Sequence, residues 1–167
     1  MLHPLIKCVD RGVIQGKGLV AQGLIREGEV VSRLEPGEPT IPLAEFLTYP
    51  PEKQAEILVY GYQMREDLIV NEQGDEKYMN HSCDPNTWWA DDDTMIARRD
   101  IQPGEEITYD YATTEVDIPF EMTCLCGSPI CRGKVTNRDY LDPEWQKRFG
   151  EHLPRHTLKA ITRGEAK

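Results

Sequence analysis

The chain has 167 residues, 39% of them hydrophobic, and a formal net charge of −10; that length suits one domain with its own core and at most a small appendage. An acidic chain is poorly suited to a nucleic-acid backbone, which needs clustered Lys and Arg, and it favours basic partners instead. No run approaches the about 20 apolar residues of a membrane span, and Met1-Leu-His-Pro-Leu-Ile-Lys7 lacks the basic flank and apolar core of a secretory signal, so the expectation is a soluble, intracellular protein with no membrane association and no direct nucleic-acid binding.

From its N-terminus the chain reads as short strands broken by Gly, Pro and Asp turns, with little helix in its first two thirds. Residues 5–9 and 19–21 are strand-like and flank Gly12 and Gly16-Lys17-Gly18; Cys8 reads as a buried strand residue. Residues 29–34 form a strand ended by Glu35-Pro36-Gly37. Residues 51–59 form a short helix, with Pro51 in the first turn, where its missing N–H costs nothing. Tyr60, Tyr62 and Met64 alternate as on one strand face, and 68–70 is a further strand. A hairpin pairs 87–90 with 94–97 around Asp91-Asp92-Asp93, and Pro103-Gly104 turns into a strand over 106–109. Asp142 caps a helix that runs to Phe149, with Gly150 as its stop. Residues 153–167 add a loose amphipathic turn or two and then fray.

The five cysteines are an odd number in a chain without an export signal, which argues against a disulfide framework. Cys124-Leu125-Cys126-Gly127-Ser128-Pro129-Ile130-Cys131 offers three thiolates, and a tetrahedral zinc site wants four. Cys83, in Asn80-His81-Ser82-Cys83-Asp84-Pro85-Asn86, supplies the fourth. Four thiolates leave no open position, so one structural zinc per chain is expected. His81 is the alternative fourth ligand. Free thiols on a loop are the blander reading, and they leave three oxidisable groups together without purpose.

The Asn80–Asn86 segment, then Gly104-Glu105-Glu106-Ile107-Thr108-Tyr109-Asp110-Tyr111, then the Cys-x-Cys-Gly-x3-Cys tail resemble a SET-domain protein-lysine N-methyltransferase with its post-SET segment. Gly16-Lys17-Gly18 is similar to the family's opening Gly-x-Gly turn. The resemblance spans about residues 5–134 and implies a mainly β fold, β-clip-like, of small curved sheets. In it the Asn-His segment and the C-terminal segment form a pseudoknot, and a post-SET zinc site and short helices accompany them. The implied divisions are 1–113 for the SET domain, 114–134 for the post-SET segment and 135–167 for a C-terminal helical extension.

The resemblance also implies S-adenosylmethionine as methyl donor and a lysine in a basic protein, histone-like or otherwise Lys-rich, as acceptor. Tyr111 matches the catalytic tyrosine, which orients the amine. Tyr109 lines the lysine channel, and a tyrosine there favours monomethylation. Tyr62 is the candidate for the opposite wall, with Tyr60 the runner-up; ordinary strand packing also accounts for a tyrosine on a strand. Gly16, Lys17, Gly18, Asn80, His81 and Tyr111 are the implied donor-binding residues, with Leu125 packed on the adenine. His81 is read as structural, donating a hydrogen bond across the pseudoknot.

An apolar channel beside a sulfonium lowers the pKa of the incoming lysine, so no strong general base is required, and the sequence shows no obvious one. Three departures stand out: no cysteine-rich segment precedes residue 1, the insert over 39–60 is short, and Lys77-Tyr78-Met79 replaces the usual Arg-Phe before Asn80. The rival readings are a catalytically silent SET fold that binds a partner and a plain zinc-stabilised interaction module.

Overall fold

The computed structural model describes residues 1–165, and among these the backbone forms five small sheets joined by short helices and turns. Strands β1 (Ile6–Val9) and β2 (Gly18–Ala21) make an antiparallel ribbon. Strand β3 (Val30–Arg33) pairs with β9 (Thr94–Ala97), which pairs in turn with β8 (Thr87–Trp89). Strands β4 (Thr40–Pro42), β6 (Leu68–Asn71) and β5 (Gly61–Arg65) lie in that spatial order in a third sheet. A parallel pair joins β7 (Asn80–His81) to β10 (Thr108–Tyr109), and β11 (Glu121–Thr123) forms a hairpin with β12 (Lys134–Thr136). Helices α1 (Leu43–Phe46), α2 (Pro51–Ile57), α3 (Pro143–Phe149) and α4 (Arg155–Glu165) are peripheral. The architecture is mainly β, as the sequence predicts.

Local chemistry accounts for several boundaries. The β8–β9 turn closes when Asp93 N donates to Asp91 Oδ1 at 2.8 Å, as the Asp run predicts. Strand β5 opens at Gly61 because a Cβ there would lie 2.9 Å from the carbonyl oxygens of both Ile57 and Val70. Tyr60 therefore sits outside the strand, 44% exposed, and not on one face with Tyr62 and Met64. The strand expected over 106–109 shrinks to Thr108–Tyr109, and the Glu106 backbone makes an isolated bridge to Val20 in place of a ladder.

Leu19, Ile25, Val31, Ala97, Ile101 and Ile107 fill the main core. A second core gathers Cys83, Ala112, Cys124, Val135, Trp145 and Phe149, and so packs α3 against the cysteine-rich segment. The C-terminal stretch departs from expectation: in place of a loose turn or two, α4 is an 11-residue helix. Its first N–H, from Arg155, is taken by Asp92 Oδ1 at 2.7 Å, and His156, Thr157 and Ala160 are buried. Two of those buried residues are polar, so the apolar pattern that reveals a helix was weak here. Residues 166 and 167, the end of the expected extension, lie outside the described residues.

Candidate active site

The loop of the β11–β12 hairpin carries Cys124, Cys126 and Cys131, and the segment after β7 brings Cys83 to them. All four sulfurs lie within 4.8 Å of one another, and Cys83 and Cys124 are 3.7 Å apart. Zn–S bonds of about 2.3 Å put the sulfurs of a tetrahedron about 3.8 Å apart, so the set fits one zinc ion. The N–H groups of Arg132 and Gly133 point at Cys83 Sγ and Cys131 Sγ, each at 3.4 Å. Burial pushes the Cys83 thiol up to about 11 and raises that of Cys124, so a bound cation is what would hold these sulfurs as thiolates. His81 stands beside this set and not in it, with Nε2 at 3.3 Å from Cys83 Sγ.

The residues expected to bind the methyl donor meet around Asn80. Its side-chain amide reaches Gln15 O (3.0 Å), Lys17 O (2.9 Å) and Glu106 Oε1 (2.6 Å). Glu106 is buried, and its Oε2 accepts the N–H groups of Val13 (2.5 Å) and Ile14 (2.9 Å). Gly18 is required here, because a Cβ would come within 2.5 Å of Glu106 Oε1, while Gly16 takes a φ of +52°. The sequence reading missed Glu106. Its signal was a carboxylate one residue before the buried Ile107, in a motif otherwise valued for its tyrosines.

His81 corrects an expectation. Burial drops its pKa to about 4, so the ring is neutral, and its Nδ1 accepts the Tyr111 N–H at 3.1 Å. Across the parallel pair it accepts and does not donate; the proton is left on Nε2, facing Cys83. The Tyr111 hydroxyl donates to Met79 O at 2.9 Å, so Lys17, Asn80 and Tyr111 are linked through adjacent residues. Tyr111 opens a 3-10 turn and does not share a strand with Tyr109. This convergence of the Gly-x-Gly loop, the Asn-His pair and Tyr111 fits an S-adenosylmethionine pocket. Leu125, beside the cysteines, is 60% exposed and has its apolar surface uncovered.

Next to Tyr111 lies a narrow cavity of about 40 Å³, open to solvent on one side, whose walls include Tyr62, Trp89, Tyr109 and Tyr111. Tyr109 and Tyr111 have ring centroids 4.8 Å apart, and Trp89 is 6.3 Å from both Tyr62 and Tyr109. Tyr60 stays at the rim, edge-on to Tyr78 at 5.5 Å. Four carboxylates, of Glu72, Glu76, Asp93 and Glu115, also line the cavity with Lys77; Glu76 is paired with the Met1 ammonium at 2.6 Å and Asp93 with Arg65 at 2.5 Å. Burial lifts Glu72 to about 7 and Glu115 to about 8. The sequence reading singled out neither.

The SET domain family matches residues 16–112, more than half of the chain. The chain belongs to the SET-domain family. It is 31% identical over 130 residues to the histone-lysine N-methyltransferase ASHH3 of Arabidopsis thaliana, covering 72% of this chain and 35% of that one. It is 30% identical over 134 residues to an H3 lysine-4-specific histone-lysine N-methyltransferase of Cryptococcus neoformans, covering 74% and 9% respectively. The chain thus spans little more than a third of the first relative and less of the second. Among solved structures, the methyltransferase domain of human SETMAR matches 79% of this SET-domain chain and 58% of its own, with a TM-score of 0.56 and 19% identity. KRYPTONITE, in complex with mCHG DNA and SAH, matches 74% of this chain and 27% of its own at a TM-score of 0.54 and 19% identity. These two likenesses establish the fold.

Proposed function

We propose that this SET-domain chain transfers a methyl group from S-adenosylmethionine to a lysine side chain of a basic, histone-like protein, stopping mainly at monomethyl-lysine. The observation that carries the reading is the tyrosine-walled cavity that ends at Tyr111, directly beside the Asn80-centred loop. S-adenosylmethionine, bound there, supplies an electrophilic methyl on a sulfonium. Gly16, Lys17 and Gly18 hold the donor through backbone groups, with Asn80, His81 and Tyr111 beneath it and Leu125 against the adenine. The aromatic walls strip water from the lysine, which disfavours its charged form and eases loss of the proton. The Tyr111 hydroxyl, fixed by Met79 O, orients the nitrogen for in-line attack. Among the described residues the Tyr109 hydroxyl has no protein hydrogen-bond partner, which leaves it free to hold a water where a second methyl would need space.

Zinc in the four-cysteine set is structural and supports the Leu125 side of the donor pocket. The net charge of −10 favours a Lys-rich substrate. Among the described residues no helix is long and apolar enough to cross a membrane. We keep the divisions 1–113, 114–134 and 135–167 as a working description, with β12 bridging the last two. The test is methyl transfer from labelled donor to histone H3 and to a lysine-rich synthetic peptide, with Tyr111→Phe as control. The expected result is monomethyl-lysine by mass spectrometry and a loss of about 100-fold or more in kcat for Tyr111→Phe. Donor binding without transfer would identify a silent SET fold; equal labelling by wild type and variant would remove Tyr111 from the chemistry.

A further inference from the structure

If methyl transfer is the activity, the lysine must first lose a proton, and the tyrosine cavity holds a group placed to take it. Glu115 is 3% exposed and lines the same cavity as Tyr62, Tyr109 and Tyr111. Its partners are uncharged: Thr114 Oγ1 donates to Oε1 at 3.1 Å, and the Gln63 N–H stands at 3.5 Å from Oε2. A buried carboxylate without a cation is costly, and an aromatic-walled cavity rich in carboxylates is a ready site for an ammonium group. Glu72 stands nearer the opening, with Oε1 at 3.4 Å from the Tyr62 hydroxyl. Of the other ionisable groups lining this space, Asp93 is paired with Arg65 at 2.5 Å and Glu76 with the N-terminal ammonium of Met1 at 2.6 Å, which leaves Glu72 and Glu115 as the carboxylates without a cation. Lys77 is turned to Gln73 O and to the rings of Tyr60 and Tyr78. Behind Glu115, His156 of α4 bonds Thr114 O at 2.8 Å, and burial lowers its pKa, which keeps it neutral.

We propose that Glu115 is a catalytic residue, the proton acceptor for the substrate lysine, with Glu72 passing the proton on to solvent; this rests on the methyltransferase reading above. In the step, a lysine Nζ–H bond breaks and an O–H bond forms on the Glu115 carboxylate. The nitrogen keeps the electron pair, which forms the new N–C bond to the donor methyl as the S–C bond breaks. The proton then leaves Glu115 through Glu72 to water, so each turnover releases one proton. The elevated affinity of Glu115 for a proton, caused by burial, suits an acceptor facing an amine whose own pKa is depressed by a neighbouring sulfonium.

The experiment takes a peptide carrying the lysine that the wild type labels, and its γ-thialysine counterpart, whose sulfur makes the amine more acidic. kcat/KM is measured against pH for wild type and Glu115→Gln. The expected loss in the variant is about 100-fold near neutral pH, shrinking as pH approaches the pKa of free lysine, about 10.4. The γ-thialysine peptide should recover part of it. A loss by one factor at every pH, with no selective gain from γ-thialysine, would overturn the proposal and mark Glu115 as structural. A second measurement needs no variant: the ¹³C-carboxyl titration of Glu115 in the wild type should have its midpoint near 8, and the lysine peptide should move that midpoint down. A midpoint indifferent to the peptide also overturns it. If the wild type transfers no methyl to any lysine, the methyltransferase reading itself falls and takes this one with it.

Discussion

Asp110 shows how much one side chain decides. It lies between Tyr109 and Tyr111, fully buried, and takes both terminal nitrogens of Arg132 at 2.7 and 2.8 Å, Trp145 Nε1 at 3.0 Å and Ala112 N at 3.0 Å. Arg132 follows Cys131 of the cysteine set, and Trp145 belongs to α3, so two distant parts of the chain are fastened to the turn that holds Tyr111. Removing a partner leaves an uncompensated buried charge. Arg132→Ala is therefore expected to lower unfolding free energy by about 3–5 kcal/mol in a urea titration. An effect under about 1 kcal/mol would mean that water reaches Asp110. Tyr109-Asp110-Tyr111 was legible as a motif, but its middle residue passed as ordinary. Glu115 passed for the same reason: in Thr113-Thr114-Glu115 it reads as a surface carboxylate, and only burial gives it a different chemistry.

At the scale of elements, legibility followed local signals. Helix α3 matches its prediction because its ends are written in sequence: Asp142 Oδ1 accepts the Glu144 N–H at 2.9 Å, and Gly150 has a φ of +55°. Asp142→Ala should cost about 1 kcal/mol of stability by thermal or urea unfolding, with methyl transfer unchanged. A null effect on stability would show that Trp145 and Phe149 packing alone fixes the helix. Helix α4 lacked such a signal, because Asp92, 63 positions earlier, caps its start. Strand β10 is short for a related reason: Glu106 bonds the Gly-rich loop and Asn80 instead of extending a ladder. The β11–β12 hairpin went unpredicted, since its 3-residue strands straddle the cysteine loop and carry little alternation.

Across the whole molecule, the cysteine set ties the β11–β12 hairpin to the segment after β7, and through His81 to Tyr111. One zinc per chain is expected by elemental analysis. Stripping it with a chelator should lower the melting temperature and weaken S-adenosylmethionine binding by calorimetry, because the cysteine loop and Leu125 lose their anchor. Unchanged donor affinity in metal-free protein would separate the zinc site from the donor pocket. The C-terminal helices belong to the same assembly: Thr157 Oγ1 donates to Thr113 O at 2.6 Å, so α4 holds the turn that begins at Tyr111.

The sequence by itself determined the family motifs, the four cysteines that the fold brings together, and the helix with written caps, and it singled out three tyrosines, Tyr62, Tyr109 and Tyr111, that line one cavity. Each rests on residue identity or on short local motifs, which a linear chain displays directly even where two motifs lie far apart. Only the tertiary structure decided where the Glu106, Asp110 and Glu115 carboxylates are buried and what they bond, which way the His81 bond runs, and that α4 is a full helix with one buried face. Those outcomes depend on water being excluded by segments distant in the chain. A carboxylate or imidazole acquires its proton affinity and its partners from that exclusion and not from its neighbours in sequence.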